Sequence, residues 1–157
     1  MVKAAVCCVL CGMLIPAIPA AAQTRSAQVF SRADVQRELQ VLEATVKAKG
    51  SGGMTLGDYS SHKLMLSERS TTGEAEVHAH FDDIMVVIDG SATLITGGHL
   101  IDAHTRGDGE SKGTGIRGGV KQEVATGDII HIPAGTPHLL IIPRGVIFGA
   151  FVVKVRE

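Results

Sequence analysis

The chain has 157 residues, 45% hydrophobic and 20% charged, which is enough apolar material for one packed domain and too much for a disordered chain. Fifteen basic residues stand against sixteen acidic ones, so no strong field draws the protein to nucleic acid or to an anionic membrane. Only five aromatic residues follow position 22 (Phe30, Tyr59, Phe81, Phe148 and Phe151), which argues against recognition of sugars by stacking.

Residues 1–22 read as a signal peptide. Lys3 gives a basic start, Ala4 to Ile18 is almost wholly apolar, and Ala20-Ala21-Ala22 supplies the small residues of a cleavage site before Gln23. Pro16, Pro19 and the Ala-rich end favour cleavage over a retained anchor, so the expectation is a secreted or periplasmic protein with no stable membrane insertion. All three cysteines (Cys7, Cys8 and Cys11) leave with this leader. That excludes a disulfide framework and a thiol nucleophile.

Residues 23–53 form an N-terminal helical segment. Ser31 caps a helix predicted over Ser31–Lys49, Asp34 sits in its first turn, and Lys47 and Lys49 precede Gly50. Val35, Leu39, Leu42 and Val46 recur at steps of four, three and four, giving one apolar stripe that docks on the same domain or on a second subunit. Ser51-Gly52-Gly53 reads as a turn, and residues 54–157 as one domain.

From Met54 the pattern is short strands between turn residues: His62–Glu68, Glu76–His80, Ile84–Ile88, Ala92–Thr96, Lys121–Val124, Ile129–Ile132, His138–Ile142 and Ile147–Val155. This predicts an all-β sandwich or small barrel. Gly97–Gly119, with eight of the nineteen glycines, reads as a long mobile loop, in which His104 or Arg106 would touch substrate if the loop were a lid. Its Gly113-Thr-Gly115-Ile-Arg-Gly118 string fits a dinucleotide-binding pattern formally, but no strand precedes it and no helix follows.

The histidines carry most of the chemical information. His78 and His80 are two apart, so on one strand their imidazoles share a face, with Asp82 and Asp83 immediately after. His138 follows Pro133-Ala-Gly135-Thr-Pro137, whose prolines and glycine fix its direction. Three imidazoles and a carboxylate are the usual ligand set of a catalytic divalent metal. Glu76 competes with Asp83 for the carboxylate position, because it alternates onto the same face as His78 and His80. His131 reads as a hydrogen-bonded or pocket-lining residue, His62 as a strand-surface residue, and His99 and His104 as solvated.

These residues resemble the cupin family. Gly73, His78, His80, Asp83 and Gly90 follow its first motif, and Gly127, Pro133, Gly135 and His138, in the string GDIIHIPAGTPH, match its second at every spacing. The spacings before His78 and after His80 are each one residue short, Asp83 stands where the motif has glutamate, and Ile142 where it often has asparagine. The resemblance implies a jelly-roll β-barrel (a double-stranded β-helix) with a metal in its mouth, held by His78, His80, Asp83 and His138. The metal would be Fe, Mn, Ni or Zn. The implied function is that of a metal-dependent enzyme of dioxygenase, isomerase or lyase type on a small polar molecule. The alternative is a non-catalytic cupin that binds a small molecule or metal. In an enzyme, whichever of Asp83 and Glu76 does not bind metal is the proton-transfer group, and Glu76 is the first choice.

Overall fold

The computed structural model describes residues 26–157, so the leader read at residues 1–22 lies outside the described residues. Helix α1 spans Arg32–Lys49 and is closed at its start by a capping box. The Ser31 hydroxyl accepts from the Asp34 N–H, and the Asp34 carboxylate accepts from the Ser31 N–H. Gly50, at φ 80°, ends it. The apolar stripe faces the domain's own sheet, with Leu42 and Val46 buried and Val35 and Leu39 half-buried.

Strand β1 (Ser51–Asp58) begins directly after the helix, at the residues expected to form a turn. The glycines there have another purpose. A Cβ on Gly52 would lie 3.3 Å from the Leu42 side chain, so the smallness of Gly52 lets α1 lie on the strand.

The chain continues through β2 (His62–Arg69), β3 (Ala75–His78), β4 (Phe81–Asp89) and β5 (Ser91–Thr96). Then come β6 (His99–Ile101), β7 (His104–Gly107), β8 (Glu110–Gly113) and β9 (Gly115–Arg117). Strands β10 (Val120–Ala125), β11 (Ile129–Ile132), β12 (His138–Ile141) and β13 (Phe148–Arg156) complete it. Strands β6 to β9 occupy the stretch read as a mobile loop. Its glycines serve as turns: Gly107 and Gly109 take positive φ on either side of Asp108, closing the β7–β8 hairpin. The glycine pattern of residues 113–118 therefore runs along strand, with no helix to receive a phosphate.

Five strands make one sheet in the order β1-β2-β13-β4-β11, and six make the other in the order β10-β5-β12-β3-β8-β7. All pairings in them are antiparallel, and β6 and β9 form a separate two-stranded ribbon. Two such sheets face to face, with non-sequential strand order, are a jelly roll.

Inward-facing positions change character along single strands. On β13 they run Phe148, Ala150, Val152, Lys154 and Arg156, and on antiparallel β4 they run Val87, Met85 and Asp83. The apolar end joins Leu94, Val124, Ile130 and Ile132 in the main core. The polar end opens into a cavity of about 1110 Å³.

Candidate metal centre

The cavity floor is assembled by cross-strand register. Glu76 on β3 is directly opposite His138 on β12 and, on its other side, opposite Lys112 on β8. Asp83 on β4 is opposite Lys154 on β13. The two sheets then bring these rows together, and one ligand atom each from Glu76, His78 and His138 falls within 4.8 Å of the others. Asp83 adjoins the same point, its Oδ2 lying 3.5 Å from His78 Nε2 and 4.0 Å from His138 Nε2.

Each carboxylate is shared in the same way. Lys112 Nζ donates to Glu76 Oε1 at 2.8 Å and Lys154 Nζ to Asp83 Oδ1 at 2.7 Å. The second oxygens, Glu76 Oε2 at 3.6 Å and Asp83 Oδ2 at 3.5 Å, face His78 Nε2. Burial works against ionisation of Glu76, but the hydrogen bond and charge of Lys112, with Arg69, outweigh it and hold the carboxyl below its ordinary range. His78 is pushed down, first by burial and then by the nearby Lys154 charge, so its imidazole is neutral at pH 7.

The Pro133–Pro137 segment is fastened at both ends. The Ala134 N–H donates to Asp82 Oδ1 at 2.7 Å, the Gly135 N–H to the His78 carbonyl at 2.8 Å, and the Gly97 N–H to the Pro137 carbonyl at 2.8 Å. His138 leaves this segment with Nδ1 3.1 Å from the Thr136 carbonyl. A carbonyl oxygen only accepts, so Nδ1 is the donor of this bond and Nε2 is turned to the cluster, the arrangement that orients a metal-binding imidazole. Two imidazoles and two carboxylate oxygens, with no sulfur, form a donor set that fits Fe(II), Mn(II), Ni(II) or Zn(II).

His80 is not brought into the cluster. Strand β3 stops at His78, so the two-residue alternation that would align His80 with it ends there. His80 is exposed on the turn to β4, at the cavity wall beside Gly109. Glu76 takes the place expected of it on the face of His78, and Asp83 lies on the facing sheet.

Of the other histidines, His131 points outward with Nε2 3.5 Å from Asp82 Oδ2, and His62 stacks on Tyr59. His104 and Arg106 lie near the exposed Glu74 at 3.7 and 3.6 Å, outside the cavity wall. Lys112 and Lys154 escaped the sequence reading because their partners are 36 and 71 residues away.

No family model matches the chain, and no curated protein is significantly similar to it. Solved structures do match. A cupin-2 domain protein of Rhodospirillum rubrum aligns with a TM-score of 0.50 at 15% identity, over 69% of this chain and 61% of its own. The fold is that of the cupins. A conserved double-stranded β-helix protein of Klebsiella pneumoniae shares this cupin barrel with a TM-score of 0.51 at 16% identity, over 69% of this chain and 78% of its own. So does the polyketide cyclase RemF of Streptomyces resistomycificus, with a TM-score of 0.50 at 21% identity, over 69% and 67%. The cupin barrel described here thus spans about three-fifths of the Rhodospirillum protein's length.

Proposed function

We propose that this protein is a divalent-metal-dependent enzyme acting on a small polar molecule in the barrel cavity. The observation that carries the proposal is the convergence of His78, His138, Glu76 and Asp83 on the cavity floor, with one lysine on the outer oxygen of each carboxylate. Ionisable groups withdrawn from solvent at such density belong to working sites far more often than to structural ones. The polyketide cyclase RemF shows that an enzyme can stand on this fold. The apolar leader at residues 1–22 supports a place of action outside the cytoplasm.

In this reading His78, His138 and Glu76 hold the metal, and His80, out on its turn, does not. A metal held there would supply Lewis-acid polarisation of a substrate oxygen. The residues do the remainder. Thr136 keeps the His138 tautomer, Lys112 keeps Glu76 ionised, and Lys154 occupies Asp83 Oδ1 so that Oδ2 alone faces the centre. With Glu76 engaged, Asp83 Oδ2 is the atom that takes or returns a proton, a change from the role first expected of Glu76.

Metal analysis of untagged protein, followed by oxygen uptake and substrate loss across small acids, enols and phenols, tests this. Glu76→Gln should lose metal at least tenfold more readily than wild type. Asp83→Asn should retain metal and lose turnover. Full metal content in Glu76→Gln would overturn the ligand assignment.

A further inference from the structure

The cavity wall on the five-stranded sheet carries four half-buried cations, and one of them differs from the rest. Strand β2 sends Lys63, Met65, Ser67 and Arg69 into the cavity, while Leu66 and Glu68 face the helix side. Three of the four cations lie within 3.2 Å of an acceptor, and the fourth, Arg69, meets only Glu76, at 3.9 Å. Lys154 donates to Asp83 at 2.7 Å, Arg156 donates to Asp58 at 2.7 Å and to the Tyr59 carbonyl at 2.6 Å, and Lys63 lies 3.2 Å from Asp58. Arg69 makes no hydrogen bond among the described residues, although its side chain is only 24% exposed.

A guanidinium has five N–H donors in a rigid fork and cannot shed its charge. Facing the cavity with no close acceptor, it presents a planar set of donors that matches a bidentate anion. The carboxylate nearest to it does not fill that place. Glu76 Oε1 is 3.9 Å from Arg69 Nη2 and already accepts from Lys112 at 2.8 Å. Gly73 makes room for the guanidinium itself, since a Cβ there would come within 2.5 Å of Arg69 Nη1.

The location narrows what such an anion is. Arg69 stands at one oxygen of Glu76, and His78 Nε2 stands 3.6 Å from the other. A group held by the fork therefore lies beside the carboxylate that borders the metal centre. The charge balance agrees, because Lys112 and Lys154 offset two of the three carboxylates Glu76, Asp83 and Glu110. A divalent ion then leaves the floor positive, and Arg69 adds to that charge.

We propose that Arg69 anchors a carboxylate of the substrate, and that the substrates are small carboxylic acids with a second oxygen on the neighbouring carbon, as in 2-oxo and 2-hydroxy acids. This rests on the reading of Glu76, His78 and His138 as a metal centre. The fork holds the carboxylate in a fixed plane, and the neighbouring oxygen reaches the floor.

Calorimetric titration with pyruvate and lactate, and with their neutral amides pyruvamide and lactamide, tests the anchor in Mn(II)-loaded wild type and in Arg69→Gln and Arg69→Lys. Both acids should bind wild type at least tenfold more tightly than their amides. Arg69→Gln should lose that preference, and Arg69→Lys should keep part of it, with a point charge but no fork. Mn(II) titration of the same variants, read by the loss of the free-ion resonance, should show the metal retained in all three. Acids and amides binding alike, no acid binding to wild type at 10 mM, or an acid preference unchanged in Arg69→Gln would each overturn the anchor. Failure of the wild type to take up Mn(II) would instead overturn the metal reading. The acid preference measured in that metal-free protein would then still decide the role of Arg69.

Discussion

Glu76 and Glu68 are two glutamates removed from solvent in one small barrel, and they end in opposite electrostatic states. Glu76 lies across from Lys112 on one side and His138 on the other. Glu68, only 8% exposed, lies across from Gly52 and Gly149, which have no side chains to offer. Its Oε2 has no partner among the described residues. Burial pushes the Glu68 carboxyl up from its ordinary value, and the charges of Glu43 and Asp89 add to this. Glu76 is held down despite its burial. The residue type is the same in both places, and what stands opposite in the register decides whether the group is a paired charge or a buried liability.

The largest expected effect is on the partnered side. Replacing His78 and His138 together with Ala should weaken metal binding by roughly 100-fold or more, since even groups that only orient ligands are worth about 10–100-fold. Equilibrium dialysis checks this, and undiminished retention would sink the site. In wild type, protons should compete with metal only below the ordinary imidazole value of ~6.5, because burial holds His78 lower still.

Turning a partnered carboxylate into an orphan comes next. Lys154→Met strands Asp83, whose side chain is 4% exposed, and should lower the metal-free unfolding free energy by about 3 kcal/mol. Adding Asp83→Asn should recover most of it. Denaturant midpoints for the pair of variants measure both, and no recovery would mean that Lys154 matters for packing rather than charge.

Loosening the cover over Glu68 should have a somewhat smaller effect. Leu42→Ala removes a 5% exposed side chain from the contact of α1 with β1. It should reduce the unfolding free energy by ~2–3 kcal/mol, measured in the same way.

The smallest effect is on Glu68 itself. Its folded value is raised, so the stability gained from its protonated form is complete below the unfolded value of ~4.3 and is lost as pH rises through the folded value. Glu68→Gln should therefore unfold later than wild type at pH 7, by about 1 kcal/mol, with the advantage shrinking at pH 4. A difference independent of pH would show that Glu68 is not titrating under the helix.

Much of this was legible in the residues because it is local. The helix was written in Ser31, Asp34, the stripe of Val35 to Val46, and Gly50. Most strands were written in alternating apolar residues, and His138 in the proline-bounded segment before it. Legibility failed where local cues had two meanings. Gly52 and Gly53 signal a turn as readily as a strand under a helix, and the glycines of residues 97–119 punctuate hairpins as readily as they loosen a loop. His80 was misplaced because alternation says which residues share a face but not where the strand stops.

By itself, then, the sequence picked out the candidates, His78, His80 and His138 with the carboxylates Glu76 and Asp83, on an all-β frame. Only the tertiary structure decided their partners. Antiparallel pairing sets Glu76 against Lys112, Asp83 against Lys154 and Glu68 against two glycines, joining residues far apart in the chain. A shift of one residue in any of these registers would reverse every face, and that register is fixed by how the two sheets share one core rather than by any local run of residues.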